Sequence, residues 1–157
     1  MDAQSEMVVP SRRQGGHIVG AITSDAAEWF VLMFQRVLQI GMDPSVIDFS
    51  PWPGQDADKL RARIAVAETA LRDAGFEVTR CLVSTDVDAA ESVVRRSLME
   101  QAFDVIEIGS GLRTSHEYTP IFERVINTIM AVQPGVPLCF NDSPETTLDA
   151  VRRGLTR

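Results

Sequence analysis

Short apolar runs alternate along the chain with longer stretches in which apolar residues recur every three or four positions. The runs are HIVGAI (17–22), SVIDFS (45–50), FEVTRCLV (76–83), DVIEIG (104–109) and VPLCF (136–140). Their length and β-branched content predict strands. The intervening stretches predict helices with recognisable ends. Asp25, with Glu28 three residues later, opens the first, and Gly41 stops it. The second runs over 58–74 with Leu60, Ile64, Ala67 and Leu71 on one stripe and Gly75 as its stop. Asp88 and Glu91 open the third, Thr119-Pro120 opens a fourth that ends before Pro134-Gly135, and Ser143-Pro144 opens the last.

Five strands, each followed by a helix, predict an α/β three-layer sandwich. Its core is a five-stranded parallel sheet, doubly wound in flavodoxin-like or Rossmann-like fashion. Two strand orders fit, 2-1-3-4-5 and 3-2-1-4-5. Residues 1–16 are polar and without periodicity, a flexible tail before a single α/β domain over 17–157. Two helices carry more apolar surface than one sheet-facing stripe needs: the first, with six consecutive apolar residues from Trp29 to Phe34, and the fourth, with Ile121, Phe122, Val125, Ile126, Ile129, Met130 and Val132. Such faces are either deeply buried or form a surface for homo-oligomer assembly.

Composition narrows the partners. The 157 residues are 45% apolar and 24% charged with a net charge of -7, and residues 15–157 hold the whole excess, 20 acids against 13 bases. No run of Lys or Arg exceeds a pair, so the counterion release that drives nucleic-acid binding has no basic face to work through. The longest strongly apolar run is far below the roughly 20 residues that span a bilayer, and MDAQSEMVV lacks the basic-then-apolar order of a signal peptide. The expectation is a cytoplasmic protein without nucleic-acid or membrane partners. Cys81 and Cys139 fall on non-adjacent predicted strands, too far apart for a disulfide, and neither they nor His17 and His116 have metal-ligand spacing.

In an open parallel sheet a ligand sits beyond the carboxyl ends of the strands, where the strand order reverses. The residues there are Thr23, Ser24 and Asp25 after the first strand, Trp52 between two prolines after the second, Ser84 and Asp86 after the third, and Gly109-Ser110-Gly111-Leu112-Arg113 after the fourth. Gly109 and Gly111 let the backbone present N–H groups inward, and Arg113 adds a cationic fork suited to phosphate or carboxylate. Trp52 could stack a flat ring. Asp25 and Asp86 also suit helix capping. GSG is not GxGxxG, no GxxxxGK[ST] occurs, and Ile108 stands where a GxSxG elbow needs Gly.

The segments IDFSPWPG, RDAGFEVTRCLV, FDVIEIGSGLRT with IFERVIN, and PGVPLCFNDSPETTLDAV resemble a set of small bacterial cytoplasmic proteins of unknown function, over about two-thirds of the chain. The resemblance implies a three-layer fold and a bacterial origin, and draws attention to the 109–113 loop. The functional expectation is binding of an anionic small molecule, a nucleotide or phosphorylated metabolite, at the C-terminal edge of the sheet. One alternative is a hydrolase or transferase in the same crevice, with His116 as acid/base and Ser110 or Glu123 assisting. The other is a non-catalytic oligomeric interaction module.

Overall fold

The run Arg36–Met42, RVLQIGM, has no polar face, as a strand covered on both sides requires. In the computed structural model, which describes residues 34–156, it is β1, the strand from which the sheet grows in both directions. The element order is β1 (Arg36–Met42), α1 (Ala57–Asp73), β2 (Glu77–Val83), α2 (Val87–Glu100), β3 (Val105–Ile108), α3 (Ser110–Arg113), α4 (Thr119–Val132), β4 (Leu138–Phe140) and α5 (Thr147–Leu155). Single 3-10 turns at Pro44–Val46, His116–Tyr118 and Pro144–Thr146 complete it.

The described strands form one parallel sheet in the order β2-β1-β3-β4. With helices on both faces, this is a doubly wound α/β arrangement. The chain leaves β1 for β2 on one side, then crosses back to β3 on the other, so the order reverses between β1 and β3.

Two expectations change here. The helix placed over 25–40 and stopped by Gly41 is not present in its described part: residues 36–42 are the central strand, and Gly41 lies within it without positive φ. A continuous apolar run does not distinguish a buried strand from a buried helix by period alone. The predicted strand at 45–50 is instead a 3-10 turn followed by tight turns, because Asp43 accepts from the Ser45 N–H (2.9 Å) and Asp48 from the Ser50 N–H (2.9 Å). These side-chain bonds replace ladder bonds. Five strands are therefore not seen; the predicted strand at 17–22, the residues Thr23, Ser24 and Asp25, and the 1–16 tail lie outside the described residues.

One face of the sheet packs Leu38, Ile40, Ile106 and Ile108 against α2 and α4, through Val94, Leu98, Val125 and Ile129. The broad apolar face of α4 is taken up by this core, with Phe122, Ile126 and Val132 half-buried against it and Met130 exposed. The other face packs Val37, Val78, Val105 and Cys139 against Leu71 of α1 and Ala150 and Val151 of α5. Gly154 lets α5 lie close: a Cβ there would stand 2.9 Å from Val105 Cγ2 and 3.0 Å from Cys139 Cβ. Cys81 and Cys139 are buried thiols on strands at opposite edges of the described sheet.

Helix ends follow local chemistry. Asp56 caps α1 through the Lys59 N–H, and Gly75 (φ +92°) ends it. Asp86, rather than Asp88, caps α2 by accepting from the Ala89 N–H (2.7 Å). Ser143 and Thr146 form a capping box ahead of α5. No helix among the described residues is long and apolar enough to cross a membrane.

Candidate functional site

On the α1/α5 face, the sheet changes character along its length. Its lower half is apolar; its upper half carries one polar row, because Gln39 on β1 is in register with Arg80 on β2 and Glu107 on β3. Above that row, at the C-terminal edge where the order reverses, lies a cavity of about 520 Å³. Gln39, Gly41, Glu107 and Gly109 face it from the sheet, and Leu60, Arg63 and Ile64 from α1. The loop after β1 supplies Ile47, Asp48, Phe49 and Trp52; the chain after β3 supplies Ser110, Gly111 and residues 114–118; the chain after β4 supplies residues 141–144.

Glu107 is the least ordinary residue of the site. It is fully buried, and neither carboxyl oxygen makes a hydrogen bond of ordinary length and angle, nor does Gln39 Oε1; the Asn141 N–H and the Gln39 side chain approach the carboxyl only weakly. Burial pushes the Glu107 pKa up to about 8, against smaller downward pulls from the Asn141 N–H, the nearby Gln39 side chain and the Arg113 charge. A buried acceptor without a donor costs about 1–3 kcal/mol, and a strand interior keeps few such groups unless they act.

The arginines around the cavity are engaged. Arg63 forms a two-pronged bond to Glu145 (2.6 and 2.8 Å), which holds the Glu145 pKa down at about 2. Arg80 pairs with the buried Glu68 of α1, which Arg72 also contacts. Arg113 is not part of the cavity lining. Its guanidinium donates to the Asn141 carbonyl, lies 5.7 Å from the Phe140 ring centroid, and is 3.5 Å from Asp142. The loop amides are also committed: Gly109 N–H donates to the Ile40 carbonyl (2.8 Å) and Ser110 N–H to Asn141 Oδ1 (2.8 Å).

Asn141 is the knot of this corner. Its side chain accepts from Ser110 and donates to Thr147 Oγ1 (2.8 Å), so the end of β4, the start of α3 and the start of α5 share one residue. The rim is aromatic and acidic. Trp52 is 53% exposed beside Phe49, and burial together with the Glu117 and Asp48 carboxylates raises the Tyr118 pKa.

Of the residues singled out by sequence, Trp52, Gly109, Ser110, Gly111 and His116 line the cavity together. Ser84 and Asp86 do not; Ser84 Oγ accepts from the Asp86 N–H (3.3 Å), and Asp86 caps α2. Glu123 is exposed on α4 and outside the lining. Sequence reasoning placed Asn141 at the ligand edge, after the last strand, but missed Gln39 and Glu107. The available signal was a polar residue inside an apolar strand run, VLQI and VIEI. Among the described residues, no three His, Cys, Asp or Glu side chains gather as a metal site.

A second depression, of about 600 Å³ and more open, lies at the opposite end of the sheet between residues 98–104 and 133–137. There Gln133 accepts from the Phe103 N–H and donates to the Leu98 and Gln101 carbonyls, so the polar groups are paired within the chain. No protein-family model matches the chain, and no curated protein matches it significantly.

Proposed function

We propose that the protein binds a small organic molecule in the cavity at the C-terminal edge of its sheet. The observation that carries this reading is the Gln39–Glu107 pair: three buried oxygens on residues of the cavity floor, none in a hydrogen bond of ordinary geometry. A ligand placing donors on them would offset a standing desolvation cost. The apolar walls, from Ile47, Phe49, Leu60 and Ile64, suit a carbon skeleton or ring, with Trp52 able to cover it. Ser110 and His116 stand on the same lining and supply hydroxyl and imidazole groups to a bound molecule. The Gly109–Gly111 amides and Arg113 are a weaker basis for an anionic ligand, since the Gly109 and Ser110 N–H groups and one Arg113 nitrogen already have partners in the chain and Arg113 is outside the lining.

The test uses the free space at Gly41, where a Cβ would meet nothing within 4 Å. A side chain at Gly41 starts into open space on the cavity lining, so Gly41→Phe is the variant chosen to obstruct it. A thermal-shift screen of small metabolites should give ligands that stabilise the wild type and not the folded Gly41→Phe variant. Ligands that stabilise both equally would place binding elsewhere.

A further inference from the structure

Resting on that reading, we infer that the polar end of the ligand is a nitrogen cation, an amine, amidine or guanidine, seated on Glu107 and Gln39. The unpartnered atoms at the cavity are Gln39 Oε1, Glu107 Oε1 and Glu107 Oε2, all acceptors once the carboxyl has lost its proton. A phosphate or carboxylate could use only the single O–H of the protonated acid and is repelled by the carboxylate; a cationic nitrogen brings several N–H donors and the matching charge. The rim agrees, since Asp48 and Glu117 add negative charge. Arg63 and Arg80, which would repel a cation, are each paired with a carboxylate. Phe49, Trp52 and Tyr118 provide aromatic faces that suit a cation or its organic body.

The chemistry carries a proton with it. At neutral pH the buried Glu107 carboxyl holds its proton, and a cation seated on it displaces that proton to solvent. The other charged or titratable groups around the cavity are Arg113 on α3, Arg80 on β2, Arg63 on α1, Asp48 after β1, His116 and Glu117 before α4, and Asp142 beyond β4. Arginine keeps its charge at every pH of interest, so the proton released comes from the Glu107 carboxyl. Affinity should therefore rise by roughly tenfold per pH unit while Glu107 is protonated, and level off above about pH 8.

The experiment titrates the full chain with benzamidine, benzamide and benzoate, three probes of similar shape and different charge, followed by NMR at pH 6, 7 and 9. The expected result is selective binding of benzamidine, about tenfold tighter at pH 7 than at pH 6, and weakened at least about tenfold in Glu107→Gln. Gln39→Leu, which leaves the acid in place, should also weaken it and serves if Glu107→Gln does not fold. Equal or tighter binding of benzamide or benzoate overturns the inference, as does benzamidine binding that is flat with pH or unchanged in both variants, or no binding of benzamidine. The cavity reading is judged separately: uncharged or anionic metabolites that lose binding in Gly41→Phe would preserve it while removing the cation.

Discussion

Gln39 and Glu107 stand opposite one another on adjacent parallel strands, β1 and β3, one residue pair below the point where the backbone hydrogen bond from Gly109 to Ile40 ends their pairing. An amide and an acid side by side in the middle of a sheet, with three side-chain oxygens outside any hydrogen bond of ordinary geometry, make this part of the protein costly to fold. The position is also where an open parallel sheet offers its crevice.

The pH dependence of stability should carry the mark of Glu107. Its folded pKa is raised, to about 8 from an ordinary 4.5. Between those values the folded state holds a proton the unfolded state has lost, so stability falls as pH rises from about 4.5 and the loss is complete near 8. Glu107→Gln keeps the shape without the titration. Urea denaturation at pH 5, 7 and 8.5 should show the wild type losing a few kcal/mol across the series and the variant losing less. Parallel profiles would mean that Glu107 titrates normally.

Arg113→Ala should cost about 1–2 kcal/mol, through the charged bond to the Asn141 carbonyl and the lost contact with Phe140. Benzamidine binding should survive at a temperature where the variant is folded. A variant with wild-type stability that no longer binds would return Arg113 to the ligand.

Packing at Gly154 leaves no room for a methyl group. Gly154→Ala brings Cβ to 2.9 Å from Val105 Cγ2 and 3.0 Å from Cys139 Cβ, and α5 must lift from the sheet. The expected cost is about 1–3 kcal/mol in chemical denaturation. A gain in stability, as better helix propensity alone would give, contradicts the close approach.

The Arg63–Glu145 fork joins α1 to the turn before α5 across an exposed surface. Because Glu145 has a depressed pKa, the stability it provides is present above about pH 4.5 and fades as pH falls toward 2. Both side chains are more than a third exposed, so Arg63→Met should cost no more than about 1 kcal/mol at neutral pH. The difference between variant and wild type should shrink at pH 3 and in high salt; a larger, salt-independent loss would point to packing of the Arg63 stem.

Much of the fold is visible in local signals. FEVTRCLV, DVIEIG and VPLCF contain β2, β3 and β4, and Gly75 stops α1 at a positive φ. Those segments combine a strand-length apolar run with flanking turn residues, so local and tertiary preferences agree. β1 is hidden because WFVLMFQRVLQIGM is apolar apart from Gln35, Arg36 and Gln39, and neither period stands out. SVIDFS misleads in the opposite sense: its residues favour a strand, but two Asp–Ser turns consume the backbone groups a ladder would use.

The crevice was legible by its edge, through Trp52, Gly109, Ser110, Gly111 and His116. Its floor was not. Gln39 could not be assigned while its strand was read as helix, and Glu107 looked like the polar position of an alternating strand. Only strand register shows that both lie on one buried row.

The two sides of the cavity differ in how they are fastened. Residues 141–146 are bound into the body by Asn141 to Ser110 and Thr147, and by Arg63 to Glu145. Across from them, residues 49–55 are held chiefly by short-range bonds, Trp52 N–H to the Phe49 carbonyl, Gln55 N–H to the Trp52 carbonyl and Lys59 to the Gly54 carbonyl. The first side is thus tied to three separate elements of the body, whereas the Trp52 side is tied to the body by the Lys59 ammonium of α1. The indole of Trp52 therefore lies on the less firmly tethered wall of the cavity.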